Sequence, residues 1–309
     1  MTGMERPLRA AILGAAGNPL VRQAVGRYGM RLGAKRFVAG ESAEEFLDVA
    51  RRANAEGFSV AGGILGESVR DAAAATAAAD RYCALLETFA TENLDANVAF
   101  KLTHVGLDLD RALALENADR IVRTAEQTGN TVRIDMEQSG YVDATLDAYR
   151  QLRARYAGIG FVLQSYLFRS RGDLEAAFAL QPNVRIVKGA YLESPAIAYA
   201  RKRDVDENYL ALAESALTHD GYTAIATHDP AIVERVERVA QANGVPKRGR
   251  FEFQLLYGIG TPLAQTLRDR GYRVRLAVPF GDEWFPYLMR RLAERPANLA
   301  FFLKGAFGG

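Results

Sequence analysis

Cysteine is almost missing from this chain: Cys83 stands alone among 309 residues. That excludes an intrachain disulfide and a thiolate-rich metal site, and it fits a reducing compartment such as the cytoplasm. Cys83 lies in an alanine-rich helical run, so it reads as a buried thiol and not as a nucleophile. Histidine is nearly as scarce, with three copies. A metal centre made from His228, Asp135 and Glu137 is therefore disfavoured, and no metal is expected. An excess of one charge is lacking too, since 39 Lys and Arg against 37 Asp and Glu leave +2. Nothing in that balance asks for nucleic acid. No apolar run approaches the roughly 20 residues of a membrane span, and the N-terminus has no signal-peptide core. The protein is expected to be soluble, or at most peripheral at a membrane. A dinucleotide fingerprint is also missing: Gly14-Ala-Ala-Gly17 does not follow a strand and makes a poor phosphate loop.

What is there is a repeated unit. From residue 58 onward, a short apolar, β-rich run is followed by a longer stretch with helical spacing. The strand candidates are 58–65, 97–103, 130–136, 159–165, 183–189, 222–228, 250–255 and 273–279. Between them lie helical segments such as 68–91, 111–128, 141–156, 195–218, 230–243 and 261–270, long enough to cross from one strand to the next. Asp71, Asp173, Asp229 and Thr261 sit where helix caps are expected. Buried parallel strands read as continuous hydrophobic runs, and these mostly do. Eight βα units in about 250 residues are the pattern of a (β/α)8 barrel of the TIM type. Gly62 and Gly63 weaken the first strand. A doubly wound sheet is the alternative, less favoured because no strand is followed by a cofactor loop. Residues 1–40 read as an N-terminal helical segment packed on a barrel of residues 41–309. Its apolar stripe, Val21, Ala24, Val25, Tyr28 and Leu32, is flanked by basic residues that would also suit a membrane surface.

In such a barrel, function collects at the C-terminal ends of the strands. Those ends carry Lys101, Asp135, Glu137, Gln164, Lys188, Thr227, His228, Gln254 and Leu256, mostly polar groups that a buried sheet tolerates only with partners. Lys101 and Asp135 could pair across neighbouring strands, as a functional couple or a plain structural ion pair. Lys188 is followed by Gly189, where a ligand can approach the backbone. On its own it would also suit a Schiff-base aldolase. His228 opens a helix and suits an anion or a flavin edge. The last strand leads into a helix over 284–294 that carries Tyr287, Arg290 and Arg291. Adjacent arginines project about 100° apart, so both reach one anion only over the rim between them. Such a pair suits a small carboxylate, or else one arginine packs and the other is solvated.

The ordered set KLT (101–103), DME (135–137), LQSYL (163–167), RIVKGAYLE (185–193), ATHD (226–229), FEFQLLYGI (251–259) and P-x-G-x-x-W-x-P-Y-x-x-R-R-x-x-E (279–294) resembles the proline dehydrogenase family. That family's FAD-dependent barrel occurs alone or inside bifunctional proline utilisation proteins. The resemblance covers residues 37–305. It implies a flavoprotein of proline catabolism that oxidises L-proline, or a close cyclic amino acid, to the imine by hydride transfer from C5 to flavin N5. FAD would be held by Gln164, Arg185, Lys188, Gly189, Ala190, Tyr191, Thr227, His228 and Gln254. The substrate carboxylate would meet Arg290, Arg291 and Lys101, with Asp135 orienting Lys101. Leu256 and Tyr287 would pack on its ring, and Glu67 would close the site by pairing with one of the helix arginines. Electrons would pass to a quinone, which implies peripheral contact of a cytoplasmic protein with the inner membrane face. A homo-oligomer is the expected assembly. Three departures stand out: Ala277 and Phe280 where tyrosines are usual, and Gly63 where an aspartate is common. Space above the substrate ring would then admit a substituted proline such as hydroxyproline. A flavin-binding relic without turnover is the non-catalytic alternative.

Overall fold

A computed structural model gives the structure over residues 33–66 and 68–294. Eight strands follow one another around a closed ring: β1 (Ser59–Ile64), β2 (Ala96–Phe100), β3 (Val132–Ile134), β4 (Ile159–Gln164), β5 (Asn183–Val187), β6 (Tyr222–Ala226), β7 (Phe251–Leu256) and β8 (Val274–Phe280). Every neighbouring pair is parallel, and β1 closes the ring on β8 with Ala61 opposite Ala277. Closure rules out the doubly wound sheet, whose edges stay open. The helices are α1 (Ala43–Ala55), α2 (Ala72–Thr91), α3 (Arg111–Gln127), α4 (Val142–Arg153), α5 (Ser170–Ala177), α6 (Lys202–Thr218), α7 (Pro230–Ala242), α8 (Thr261–Asp269) and α9 (Trp284–Glu294). Among the described residues no helix is long and apolar enough to cross a membrane.

Local chemistry accounts for most helix starts. Asp71 accepts from Ala74 N and Asp229 from Ala231 N, the two caps expected there. The other two expected caps fail. Asp173 lies inside the first turn of α5 and pairs with Arg169 at 2.8 Å. Thr261 is already helical, because Gly260 at φ 67 supplies the left-handed turn that precedes α8. Helix α1 has no counterpart in the sequence expectation, although Ser42 and Glu45 form a reciprocal capping box at its start. The helical segment expected over 1–40 lies largely outside the described residues, as does the Gly14–Gly17 stretch; Ala34–Arg36 is one turn of 3-10 helix.

Alternation along the strands decides what faces helices and what faces the barrel axis. A side chain at Gly62 would come within 2.8 Å of the Phe46 ring on α1, so this position faces outward and must stay small. Gly63, one residue on, faces the axis, and a Cβ there meets nothing within 4 Å. Phe280 also faces outward, stacked on Phe46 at 4.7 Å between β8 and α1. Its missing hydroxyl therefore cannot shape the mouth of the barrel, contrary to expectation. Outward side chains and the helices form one large apolar cluster around the ring. A second, separate cluster joins Ala34, Phe37 and Val38 to Trp284, Phe285, Leu288 and Met289 of α9. Cys83 is only half-buried on α2, against the edge of the main cluster.

Candidate active site at the barrel mouth

Parallel strands put all their C-terminal ends on one side of the ring. Lys101, Asp135, Lys188 and Thr227 each occupy the first position beyond a strand, Gln164 and Leu256 end β4 and β7, and α9 departs after a short turn from β8. Residues far apart in the chain are thereby collected around one opening. By alternation Lys101, Asp135, Arg185, Gln164, Gln254, Leu256 and Ala277 point toward the axis. β5 shows the pattern directly, with Val184 and Ile186 buried outward and Asn183, Arg185 and Val187 partly open inward.

The interior of the ring is charged, which sequence reasoning missed. Glu252, 1% exposed, receives Arg275 Nε at 2.9 Å, Tyr222 Oη at 3.0 Å and Gln254 Nε2 at 2.6 Å. Burial alone would push its carboxyl up; the charge and hydrogen bond of Arg275 hold it down to about 2. Arg133, fully buried and crowded by the charge of Arg185, is lowered to about 10. The signal was present, since Arg133, Glu252 and Arg275 occupy the axial phase of their strands. An isolated charge on an alternating strand, however, reads as solvent-facing.

Above this layer Gln254 accepts from Arg185 at 3.5 Å, and Arg185 donates to Asp135 in an ion pair. The pairing expected between Lys101 and Asp135 is replaced by this one. The guanidinium reaches Asp135 from β5 through one terminal nitrogen while its other terminal nitrogen meets Gln254. The Nε of Arg185 is buried with no partner among the described residues, a donor suited to an acceptor on a bound ligand. Lys188 contacts Asp206 at 2.6 Å and Asp229 at 3.2 Å, which suits an ammonium and not the amine nucleophile of an aldolase. Gly189 has φ 113, and a Cβ there would collide with the Tyr166 ring at 2.3 Å. Only glycine brings the backbone of Gly189–Tyr191 past that ring. His228 Nε2 accepts Leu256 N at 3.0 Å, leaving Nδ1 as the proton-bearing nitrogen and tying β6 to β7. Thr227 Oγ1 accepts from Asp229 N at 3.1 Å, and Gln164 donates to Glu137 O at 2.8 Å. Glu137 itself is buried on Thr103, accepting from its N and Oγ1.

On α9, Arg290 and Arg291 are half-buried, and the Arg291 guanidinium lies 5.3 Å from the centre of the Tyr287 ring. A protein-family model described as proline dehydrogenase matches residues 46–304. The chain belongs to the proline dehydrogenase family. Its members are oxidoreductases acting on the CH–NH bond of proline. Proline dehydrogenase 1 of Bacillus subtilis is 39% identical over 298 residues, 96% of this chain and 98% of its own length. The proline dehydrogenase of Deinococcus radiodurans is 40% identical over 306 residues, 97% and 98% of the two chains. The crystal structure of proline utilization A from Bdellovibrio bacteriovorus, inactivated by N-propargylglycine, superposes with a TM-score of 0.81 at 26% identity. That superposition covers 88% of this chain and 34% of the other, so this chain spans about a third of such bifunctional proteins.

The family's barrel is thus the one seen here, with Lys101, Asp135, Gln164, Lys188, Thr227 and Leu256 at the C-terminal ends of its strands and Tyr287, Arg290 and Arg291 on the helix after β8. Glu67 lies outside the described residues. Ala190 is exposed and Tyr191 half-buried on the loop after β5, beside the exposed Leu192.

Proposed function

We propose that this chain oxidises L-proline at the mouth of its barrel with FAD as the resident cofactor. The observation that carries the reading is the convergence of Arg185, Lys188, Gln164, Gln254 and the Gly189 backbone beside α9, whose paired arginines suit a carboxylate. When bound, FAD supplies the two-electron acceptor. The donor set fits it: a buried guanidinium with one nitrogen lacking a partner among the described residues, an ammonium, two amides and a side-chain-free backbone turn.

Each residue then has a physical task. Arg290 and Arg291 grip the proline carboxylate, and Lys101 adds a third cation from β2. Tyr287 and Leu256 pack on the pyrrolidine ring and exclude water from C5. Because the arginine beside Tyr287 rests on its ring, the guanidinium is held before the substrate arrives, which lowers the ordering needed at binding. Lys188, Thr227 and His228 line the cofactor side with Gln164 and Gln254. Positioning supplies most of the barrier lowering, and the amine must be neutral to release its lone pair. A quinone is the proposed electron acceptor, reached from the cytoplasmic side of a membrane.

A substituted proline is a second reading, favoured by one observation. Gly63, Ala61 and Ala277 face the axis on adjacent strands, and the space at Gly63 is open. Anaerobic mixing of the FAD-loaded protein with proline, hydroxyproline and larger cyclic amino acids tests both. Bleaching of the flavin absorbance by at least one of them is expected. A yellow protein that none of them bleaches rejects the dehydrogenase reading in favour of the relic.

A further inference from the structure

Gln254 sits between a carboxylate and a guanidinium. Its Nε2 donates to Glu252 at 2.6 Å, and its Oε1 accepts from Arg185 at 3.5 Å. A primary amide has one donor end and one acceptor end, so flanking groups of fixed character decide which way it faces. Glu252 can only accept while it is ionised, and Arg185 can only donate. Both flanks therefore demand the same orientation. Glu252 is in turn fixed from below: Arg275 and Tyr222 hold it, and Arg275 is anchored by donating to Val60 O at 2.8 Å. The chain of contacts runs from β1 and β8 through β7 to Arg185 on β5 and ends on Asp135 beyond β3.

We propose that Glu252, buried within the ring and out of reach of the substrate, is a positioning residue for Arg185, acting by locking the orientation of the Gln254 amide. With a neutral amide at position 252, the only remaining demand on the Gln254 orientation is the long contact to Arg185 at 3.5 Å, and the short one that fixed it is gone. The guanidinium then loses its lateral support and its aim toward the mouth. The carboxylate's low pKa keeps this lock charged across the whole working range of pH. The inference rests on the reading that Arg185 faces the flavin.

The test compares full-length Glu252→Gln, Arg185→Lys and the double variant by titrating each with FAD and following flavin fluorescence, alongside kcat and KM for proline. Glu252→Gln is expected to raise the Kd for FAD roughly tenfold, the scale of one charge-assisted hydrogen bond. It should lower kcat while moving KM less than about twofold, because the carboxylate grip on α9 is untouched. The double variant should bind FAD no more weakly than Arg185→Lys alone, as coupled residues do. A folded Glu252→Gln protein that binds FAD like the wild type overturns the proposal, and so do losses that simply add. Should Glu252→Gln not fold, Tyr222→Phe takes its place, since it removes a donor that fixes Glu252 and touches no group assigned to the cofactor; a smaller rise in the Kd for FAD is expected, and an unchanged Kd overturns the proposal. If Arg185→Lys leaves the Kd unchanged, the inference falls with the assignment of Arg185. Failure of the function itself is read separately, as a wild-type protein that proline does not bleach.

Discussion

Ala277 faces the barrel axis across from Ala61, one strand away from Leu256. Under the proposed function a tyrosine here would place a ring over the substrate, and its absence leaves the groups assigned to the carboxylate in place. Ala277→Tyr is accordingly expected to raise the ratio of kcat/KM for proline over that for 4-hydroxyproline by roughly tenfold or more. An unchanged ratio would show that this space does not select the substrate. At this scale the sequence was a partial guide. Lys101, Asp135, Gln164, Lys188 and Thr227 were legible because each punctuates a strand end with a polar group. Their partners were not, since whether Asp135 meets Lys101 or Arg185 depends on reach across the ring, which linear spacing does not encode. Phe280 misled for the same reason, as a shift of one residue along a strand exchanges the mouth for the helix layer.

Helix α9 shows what an element adds to its residues. Trp284 donates to Glu41 Oε1 at 2.8 Å, and Trp284, Phe285, Leu288 and Met289 bury one face against the segment 34–38. The rest of its surface offers Tyr287, at the edge of that cluster, with Arg290 and Arg291 half-buried beside it. Substituting either arginine by lysine keeps the charge and removes the fork. The KM for proline is expected to rise about tenfold in each variant with kcat changed less, measured by steady-state kinetics with an artificial acceptor. If neither KM moves, these arginines do not hold the carboxylate. The helices that sequence periodicity identified had clear caps or long stripes, as at Asp71 and Asp229. Helix α1 was overlooked because its Ser42–Glu45 box follows an irregular stretch, and α5 because eight residues are too few to show a period.

The whole molecule was legible from its repetition, since eight strand-and-helix units leave little choice but a closed ring. Its charged interior has a consequence for stability. Glu252 ionises well below an ordinary glutamate in the folded chain, so folding gains stability above the unfolded value and loses it as pH falls through the folded one. Between about pH 4.5 and about pH 2 this single carboxylate should account for a loss on the order of 3 kcal/mol. Urea unfolding of wild type and Glu252→Gln across that window provides the check: the variant should show a shallower acid slope. Equal slopes would mean that Glu252 carries no differential ionisation.

The separate apolar cluster beneath α9 has its own outcome. Seven side chains bind α9 to the segment 34–38, apart from the packing that keeps the ring shut. Under the proposed function, small changes among those seven would shift the helix that carries Arg290 and Arg291, and with it the choice of acid, before they reach Arg185 on β5. The face of α9 proposed to read the substrate would then answer to a packing unit of its own.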